Sequence, residues 1–288
     1  MNTLIQHPLV AACWVFARNV MNRLQAGHIG LIAAGVAFYA IFAIFPATTA
    51  TIALWSLVSD PNIIAQYLDV AEGFIPPEAY RLLSNQINAL LSGPRATLGW
   101  ATAVSVAIAL FSARAGVQAL VQGINVIHRC PSRQVLRGVL AGYAITLALV
   151  ATTLAAFAII IVVPIAIAFL PLGILREWLL TELPWLMMIV LIFSGLAILY
   201  RFGPSQPESR AGWFSIGALV AACGWAIGSL GFSYYIANFG AYNRVYGSIG
   251  AVIALLMWLY ISAYVILVGA AINAELKHRP NLPNGFKD

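Results

Sequence analysis

Four polar side chains recur at helical spacing within one long apolar run of the chain. Arg114, Gln118, Gln122 and Asn125 fall at positions i, i+4, i+8 and i+11. At 100° per residue they lie within about 80° of one another, so they form one stripe along a helix. If the run crosses a membrane, such a stripe usually faces the bundle interior or a wet cavity. A guanidinium there would attract an anion, and the amides would offer hydrogen bonds.

Arg114 also has a structural interpretation. If its helix enters the bilayer near Leu98, Arg114 lies about 24 Å further along, close to the opposite interface. From that depth its side chain can snorkel to the head groups or pair with another group of the bundle. The sequence leaves both interpretations of Arg114 open.

Three tyrosines place hydroxyl groups inside apolar runs. Tyr260 and Tyr264 stand at i and i+4 near the middle of the last run, and Tyr39 lies in the first. A hydroxyl that is shielded from water needs a partner within the bundle. These tyrosines therefore either bond between helices or line a central cavity with Arg114 and Gln118.

Catalytic chemistry has little support in the sequence. The four histidines lie outside the apolar runs or at their ends, and no metalloprotease, nucleophile-elbow or phosphate-loop motif occurs. A metal-dependent nuclease needs clustered carboxylates, but none of the nine acids stands in the middle of a run. We therefore expect a non-enzymatic protein with no catalytic residue, metal site, cofactor or nucleic-acid partner.

The composition indicates a helical membrane protein. Of 288 residues, 62% are hydrophobic and 8% are charged, against about 25% charged in a typical soluble domain. The apolar runs are long enough for helical spans and lack the alternation of a membrane barrel. They predict an all-α, polytopic fold with six transmembrane helices, over residues 29–58, 98–125, 138–170, 185–200, 213–237 and 246–274.

The basic residues predict the orientation of the six spans. One face carries ten of them, Arg18, Arg23, Arg129, Arg133, Arg137, Arg201, Arg210, Lys277, Arg279 and Lys287. The other face carries four, Arg81, Arg95, Arg176 and Arg244, together with six of the nine acids. Because basic loops stay in the cytoplasm, both termini are expected there.

Two amphipathic segments accompany the spans. Residues 8–25 read as a cytoplasmic helix that lies on the membrane with Trp14 and Phe16 dipped into it. In the outer loop 59–97, apolar residues recur at helical spacing from Ala79 to Leu91. This outer helix either contacts lipid as a lid or only caps the bundle.

The predicted organisation is thus an N-terminal segment (1–28), one six-helix domain (29–276) and a cytoplasmic tail (277–288). Within the domain, Gly224 and Gly228 form a GxxxG pattern, with Gly217 on the same helix. Such spacing permits close helix approach, which favours internal packing and more weakly a dimer. Pro46 interrupts the first span and allows a kink.

Several motifs carry a resemblance to a known family, from about Leu24 to Leu276. They are YAIFAIFP ending at Pro46, the polar second span ending in QGIN at Asn125, NRVYGSIG containing Tyr246, Gly247 and Gly250, LMWLY ending at Tyr260, and GAAINAEL containing Asn273 and Glu275. The chain resembles the YihY/BrkB family in these segments. The family often has an acid where this chain has Ala271, so a role tied to that acid is not carried over.

The resemblance implies a bacterial inner-membrane protein in which Pro46, Tyr246, Gly247, Gly250, Asn273 and Glu275 belong to structural motifs. Members of the family have been labelled virulence factor and ribonuclease BN, and some are associated with envelope lipid handling. The leading hypothesis is therefore a transporter or flippase-like protein for an anionic lipid or other amphiphile. The alternative is a scaffold in an envelope assembly, and a ribonuclease ranks third. The expected partners are membrane lipids, with a second copy or an envelope protein as further candidates.

Overall fold

A computed structural model describes residues 8–58, 95–131, 135–168, 174–238 and 240–278. Over these ranges the chain forms seven α-helices and no strand, which confirms the all-α prediction for them. The helices are α1 (Pro8–Ala26), α2 (Ile29–Val58), α3 (Arg95–His128), α4 (Val135–Ala168), α5 (Ile174–Phe202), α6 (Ile216–Asn238) and α7 (Gly240–His278). A short 3₁₀ turn, Pro207–Ser209, lies between α5 and α6.

Several of these helices are long and apolar enough to cross a bilayer. Within the described residues, Ala103–His128, Leu136–Ala155, Ile216–Tyr235 and Val252–Lys277 meet that criterion, while Ile189–Phe202 is shorter. Ala11–Ala26 and Ile29–Ile44 are bent by 60° at residues 27–28 and count as one further candidate if taken together. The described residues therefore contain four to five candidate spans, whereas the sequence predicts six over the whole chain.

The helix bounds differ from the predicted runs mainly at their polar ends. Helix α5 begins at Ile174, eleven residues before the predicted start at 185, and α7 runs from Gly240 to His278. Hydropathy marks only the apolar part of a helix, whereas backbone hydrogen bonding continues through polar turns at the interface. Helix α2 continues through Pro46 to Val58. The predicted outer helix at 79–91 and the tail from residue 279 lie outside the described residues.

The chain divides into two compact units. Taken over the described residues, the first lies within the ranges 1–36, 117–235 and 258–288, and the second lies within the ranges 37–116 and 236–257. The core of the first unit is built from small and branched apolar side chains, including Leu24, Ile29, Ala33, Ile124, Ile127, Leu196, Leu267, Ala270 and Ala274. Phe16 packs against this core, while Trp14 remains exposed. Only part of the apolar face predicted for α1 is therefore available to lipid.

The C-terminal end of α3 is closed by a Schellman motif. The Cys130 N–H donates to the Asn125 carbonyl at 2.9 Å, and the Arg129 N–H donates to the Val126 carbonyl at 3.1 Å. Arg129 takes the left-handed position with a φ of 55°, which glycine usually occupies. The motif ends α3 sharply and directs Cys130 and Pro131 towards the loop that follows α5.

Candidate functional site

Three residues of the predicted polar stripe line a pocket within the first unit. The pocket has a volume of about 440 Å³ and is bordered by Gln118, Gln122 and Asn125 on α3, with Cys130 after it and Gly138 on α4. Gln118 and Asn125 are half-buried, and Gln122 is exposed. The spacing on the sequence therefore identified side chains that share one concave surface. We call this cavity the stripe pocket.

Asn125 has a structural role in the stripe pocket. Its Nδ2 donates to the Val121 carbonyl at 2.9 Å, and its Oδ1 accepts from the Ser205 N–H at 2.8 Å. The side chain thus joins α3 to the loop between α5 and α6. Gln118 and Gln122 form no comparable hydrogen bond within the described residues, so their amides are better placed to bind a ligand.

The remaining cavity candidates belong partly to the second unit. Arg114 is half-buried there, and Tyr39 is 38% exposed with its ring 5.6 Å from that of Phe38. A cavity shared by Arg114, Tyr39 and the first-unit residues stays a prediction.

Three aromatic residues of α7 in the first unit take part in stacking or in interhelical hydrogen bonds. Tyr260 and Tyr264 stack with ring centroids 6.0 Å apart, and a Cβ added at Gly30 would lie 3.3 Å from the Tyr260 hydroxyl. Trp258 Nε1 donates to Ser229 Oγ at 3.3 Å, and Trp225 Nε1 donates to Ser262 Oγ at 3.1 Å. The two indole N–H groups therefore join α6 to α7. Neither tyrosine borders the stripe pocket.

Asn273 locks α6 to α7 where their backbones approach closely. Its Oδ1 accepts from the Gly217 N–H at 2.9 Å, and its Nδ2 donates to Ser215 Oγ at 3.0 Å. Ser215 Oγ in turn accepts from the Ala218 N–H at 3.2 Å, as an N-cap side chain does. A Cβ at Gly217 would overlap the Gly269 carbonyl oxygen. The side chain of the motif residue Asn273 thus stabilises the packing of α6 against α7.

An ion pair also joins helices within the first unit. Arg23 Nε lies 2.8 Å from Glu275 Oε2, and the two side chains are 10% and 11% exposed. Asn19 Nδ2 donates to Glu275 Oε1 at 2.8 Å, and Arg23 Nη1 donates to the Ile127 carbonyl at 3.2 Å. Glu275 therefore joins the C-terminal part of α7 to α1, and Arg23 extends the network to α3.

The loops after α3 and α5 meet at the same end of the first unit. Ser205 Oγ donates to the Pro131 carbonyl at 2.7 Å, and Cys130 Sγ lies 3.2 Å from Ser209 Oγ. Lys277 Nζ donates to the carbonyls of Glu208 and Arg210. The C-terminal ends of α3, α5 and α7 are therefore tied together.

Of the motif residues in the second unit, Pro46 is half-buried within α2 and Gly250 is half-buried within α7. Tyr246 and Gly247 are helical residues of α7 whose side-chain surroundings lie outside the described part of the structure. The ion pair and the role of Ser215 were not predicted. The pair had one signal in the sequence, since the isolated acid Glu275 and the basic residue Arg23 were expected on the same side of the membrane.

No group of three His, Cys, Asp or Glu side chains that could hold a metal ion occurs within the described residues. The polar side chains that line the stripe pocket are the amides of Gln118, Gln122 and Asn125 and the thiol of Cys130. Amides both donate and accept hydrogen bonds and can therefore bind the polar part of a ligand.

Comparisons with known proteins place the chain in a family. The model of the family described as virulence factor BrkB matches residues 20–287. A protein named as ribonuclease-like, YfkH of Bacillus subtilis, is 27% identical over 263 residues, which cover 87% of this chain and 91% of the relative. A UPF0761 membrane protein of Xanthomonas campestris is 26% identical, with 94% of this chain and 64% of the relative covered.

A UPF0761 membrane protein of Aliivibrio salmonicida is 36% identical over 96 residues, which are 33% of this chain and 30% of the relative. The chain thus spans less than two thirds of both UPF0761 relatives. No solved structure matches this chain. The family match over residues 20–287 and the set of long apolar helices lead to one conclusion: this chain is a multi-pass membrane protein that belongs to the BrkB family.

Proposed function

We propose that this protein binds an anionic lipid or a similar amphiphile and moves it across the bacterial inner membrane without enzymatic chemistry. The observation that carries the proposal is the stripe pocket. Gln118 and Gln122 line it and form no hydrogen bond within the described residues, so their amides can donate to and accept from a ligand. Gln118 and Gln122 would bind the polar head of an amphiphile by hydrogen bonds.

For the topology we propose six crossings with both termini in the cytoplasm. Hydrogen bonds join the C-terminal ends of α3, α5 and α7, which supports this topology. Helices α4 and α5 would cross the membrane between the first two of these ends, and α6 and α7 between the last two. Two crossings return the chain to the same side each time. The loops at these ends and the adjoining helix turns carry Arg129, Arg137, Arg201 and Arg210, which favours the cytoplasmic side. Helices α2 and α5, with 30 and 29 residues, would supply the two spans beyond the four clear candidates.

Cysteine labelling tests this topology. In a variant without the three native cysteines, a cysteine placed within residues 60–93 is expected to react with an impermeant maleimide added to intact spheroplasts. A cysteine at position 133 is expected to react only after lysis, since its loop is basic. The reverse pattern would overturn the topology.

Lipid movement is measurable with purified protein in vesicles. External dithionite quenches fluorescent phosphatidylglycerol in the outer leaflet only. The quenched fraction therefore rises when lipid of the inner leaflet reaches the outer leaflet. The assay is run with and without a proton gradient across the vesicle membrane. We expect translocation by the wild type and at least a tenfold slower rate for the double variant Gln118→Leu/Gln122→Leu, because each hydrogen bond to a charged group contributes about 1.5–3 kcal/mol.

Gln25→Leu is the matched control, because Gln25 is exposed on α1 and is not among the residues that line the stripe pocket. It should translocate lipid at the wild-type rate. In the same assay, loss of activity in both Arg114→Lys and Arg114→Leu would indicate recognition through the planar guanidinium, whereas full activity of Arg114→Lys would indicate snorkelling. Wild-type vesicles that match protein-free vesicles would contradict the transport proposal and favour a scaffold.

A further inference from the structure

A second groove lies beside α4 and α5 in the first unit, and it shares no lining residue with the stripe pocket. Its volume is about 730 Å³. Arg137, Gln206 and Arg210 line its polar part, near the joined loops. The rest is mostly apolar, with three alanines and Ile145 of α4 and the larger Ile198 and Phe202 of α5. We call it the two-arginine groove.

The polar part of this groove carries uncompensated positive charge. No acidic side chain is among the described residues that line the groove, and the ion pair between Arg23 and Glu275 involves none of them. Arg201, by contrast, lies 5.0 Å over the Trp213 ring. Arg137 and Arg210 are both exposed. Two such guanidinium groups can bind the oxygens of one phosphate by charge-assisted hydrogen bonds.

The apolar part of the groove fits a hydrocarbon chain. Ala141, Ala144 and Ala148 follow one another at helical spacing on α4, and Ile198 and Phe202 line the groove from α5. The short alanine side chains leave space beside the helix, and this path extends about 16 Å along α4 from Arg137 to Ala148. A free phosphate would use only the arginines, whereas a phospholipid would use both parts of the groove.

We infer that the two-arginine groove binds an anionic phospholipid of the surrounding membrane, with its phosphate on Arg137 and Arg210 and an acyl chain along the alanine face of α4. Basic pockets between membrane helices on the cytoplasmic side are suited to anionic head groups. The inference goes beyond the proposed transport, since lipid can occupy this groove at equilibrium whether or not the protein moves lipid elsewhere.

Native mass spectrometry of the full-length protein in detergent, after removal of co-purified lipid, tests this site. Phosphatidylglycerol is titrated against the wild type and the double variant Arg137→Gln/Arg210→Gln. We expect the apparent Kd for the most tightly bound phosphatidylglycerol molecule to be at least tenfold higher in the double variant than in the wild type. Ala144→Phe, which keeps both arginines and changes an exposed alanine, should raise it as well because it fills the seat of the acyl chain.

The matched control is Arg18→Gln/Arg129→Gln, which removes the same net charge from two exposed arginines outside the groove. It should bind phosphatidylglycerol within twofold of the wild type. If both double variants lost affinity for phosphatidylglycerol equally, the loss would come from the change in net charge, and the proposed site would be wrong. Equally tight binding of phosphatidylcholine would contradict it as well, as would full displacement of the lipid by equimolar inorganic phosphate or glycerol phosphate, which would indicate a site for a soluble anion.

Discussion

Replacing Arg23 by Met is expected to destabilise the folded protein strongly while Arg18→Met leaves it unchanged. Arg23 and Glu275 are 10% and 11% exposed, so removal of the guanidinium takes a counter-charge away from a mostly buried carboxylate. Breaking a buried pair from one side costs about 3–5 kcal/mol. The lower end of that range corresponds to a fall in Tm of about 6–12 °C for a chain of this size. Intrinsic tryptophan fluorescence during heating in detergent measures it.

Arg18 supplies the control because it lies on the same helix and is exposed. Glu275→Gln should also destabilise the protein. The double variant Arg23→Met/Glu275→Met should be more stable than Arg23→Met alone, since no unpaired charge remains. Simply additive losses in the double variant would show that the two side chains do not depend on each other.

Gly217→Ala and Gly231→Ala are expected to change stability in opposite directions, although both glycines lie on α6. A Cβ at Gly217 would overlap the Gly269 carbonyl oxygen and lie 2.5 Å from Asn273 Cγ, whereas no atom lies within 4 Å of a Cβ at Gly231. The first variant must separate α6 from α7 and strain the bond from the Gly217 N–H to Asn273. Overpacking of this kind costs about 1–3 kcal/mol or more.

Gly231→Ala should instead stabilise α6 by about 0.5–1 kcal/mol, because alanine has the higher helix propensity. The measurement is the Tm of each variant in the same detergent, together with the yield of monodisperse protein. Equal effects of the two substitutions would mean that α6 and α7 do not meet at Gly217. A Gly217→Ala variant with the wild-type Tm would contradict the packing directly.

The glycines of the predicted GxxxG pattern lie where α6 packs against α7. Cβ atoms added at Gly224 and Gly228 would meet Val265 and Ile261 of α7 at 2.9 and 3.2 Å. These glycines therefore serve close packing between helices of one chain, the use that the sequence favoured. A homo-oligomer or an envelope partner stays a prediction.

The polar stripe of α3 could be predicted from the sequence, whereas the two-arginine groove could not. Gln118, Gln122 and Asn125 lie on one helix, so their spacing alone predicted that they share a face. Arg137 and Arg210 lie on different elements, 73 positions apart in the sequence. Only the packing of α4 beside α5 and the loop contact between Ser205 and Pro131 bring them to one groove.

By itself, the sequence determined that this is a helical membrane protein, where most of its helices run, and which family it belongs to. These properties depend on composition, on local periodicity and on short motifs, all of which involve residues close together in the chain. Tertiary structure decided that Asn125 and Asn273 fasten loops and helices and that Glu275 pairs with Arg23, 252 positions away. Hydrogen bonds and ion pairs act over a few ångströms, so their partners depend on which helices pack together.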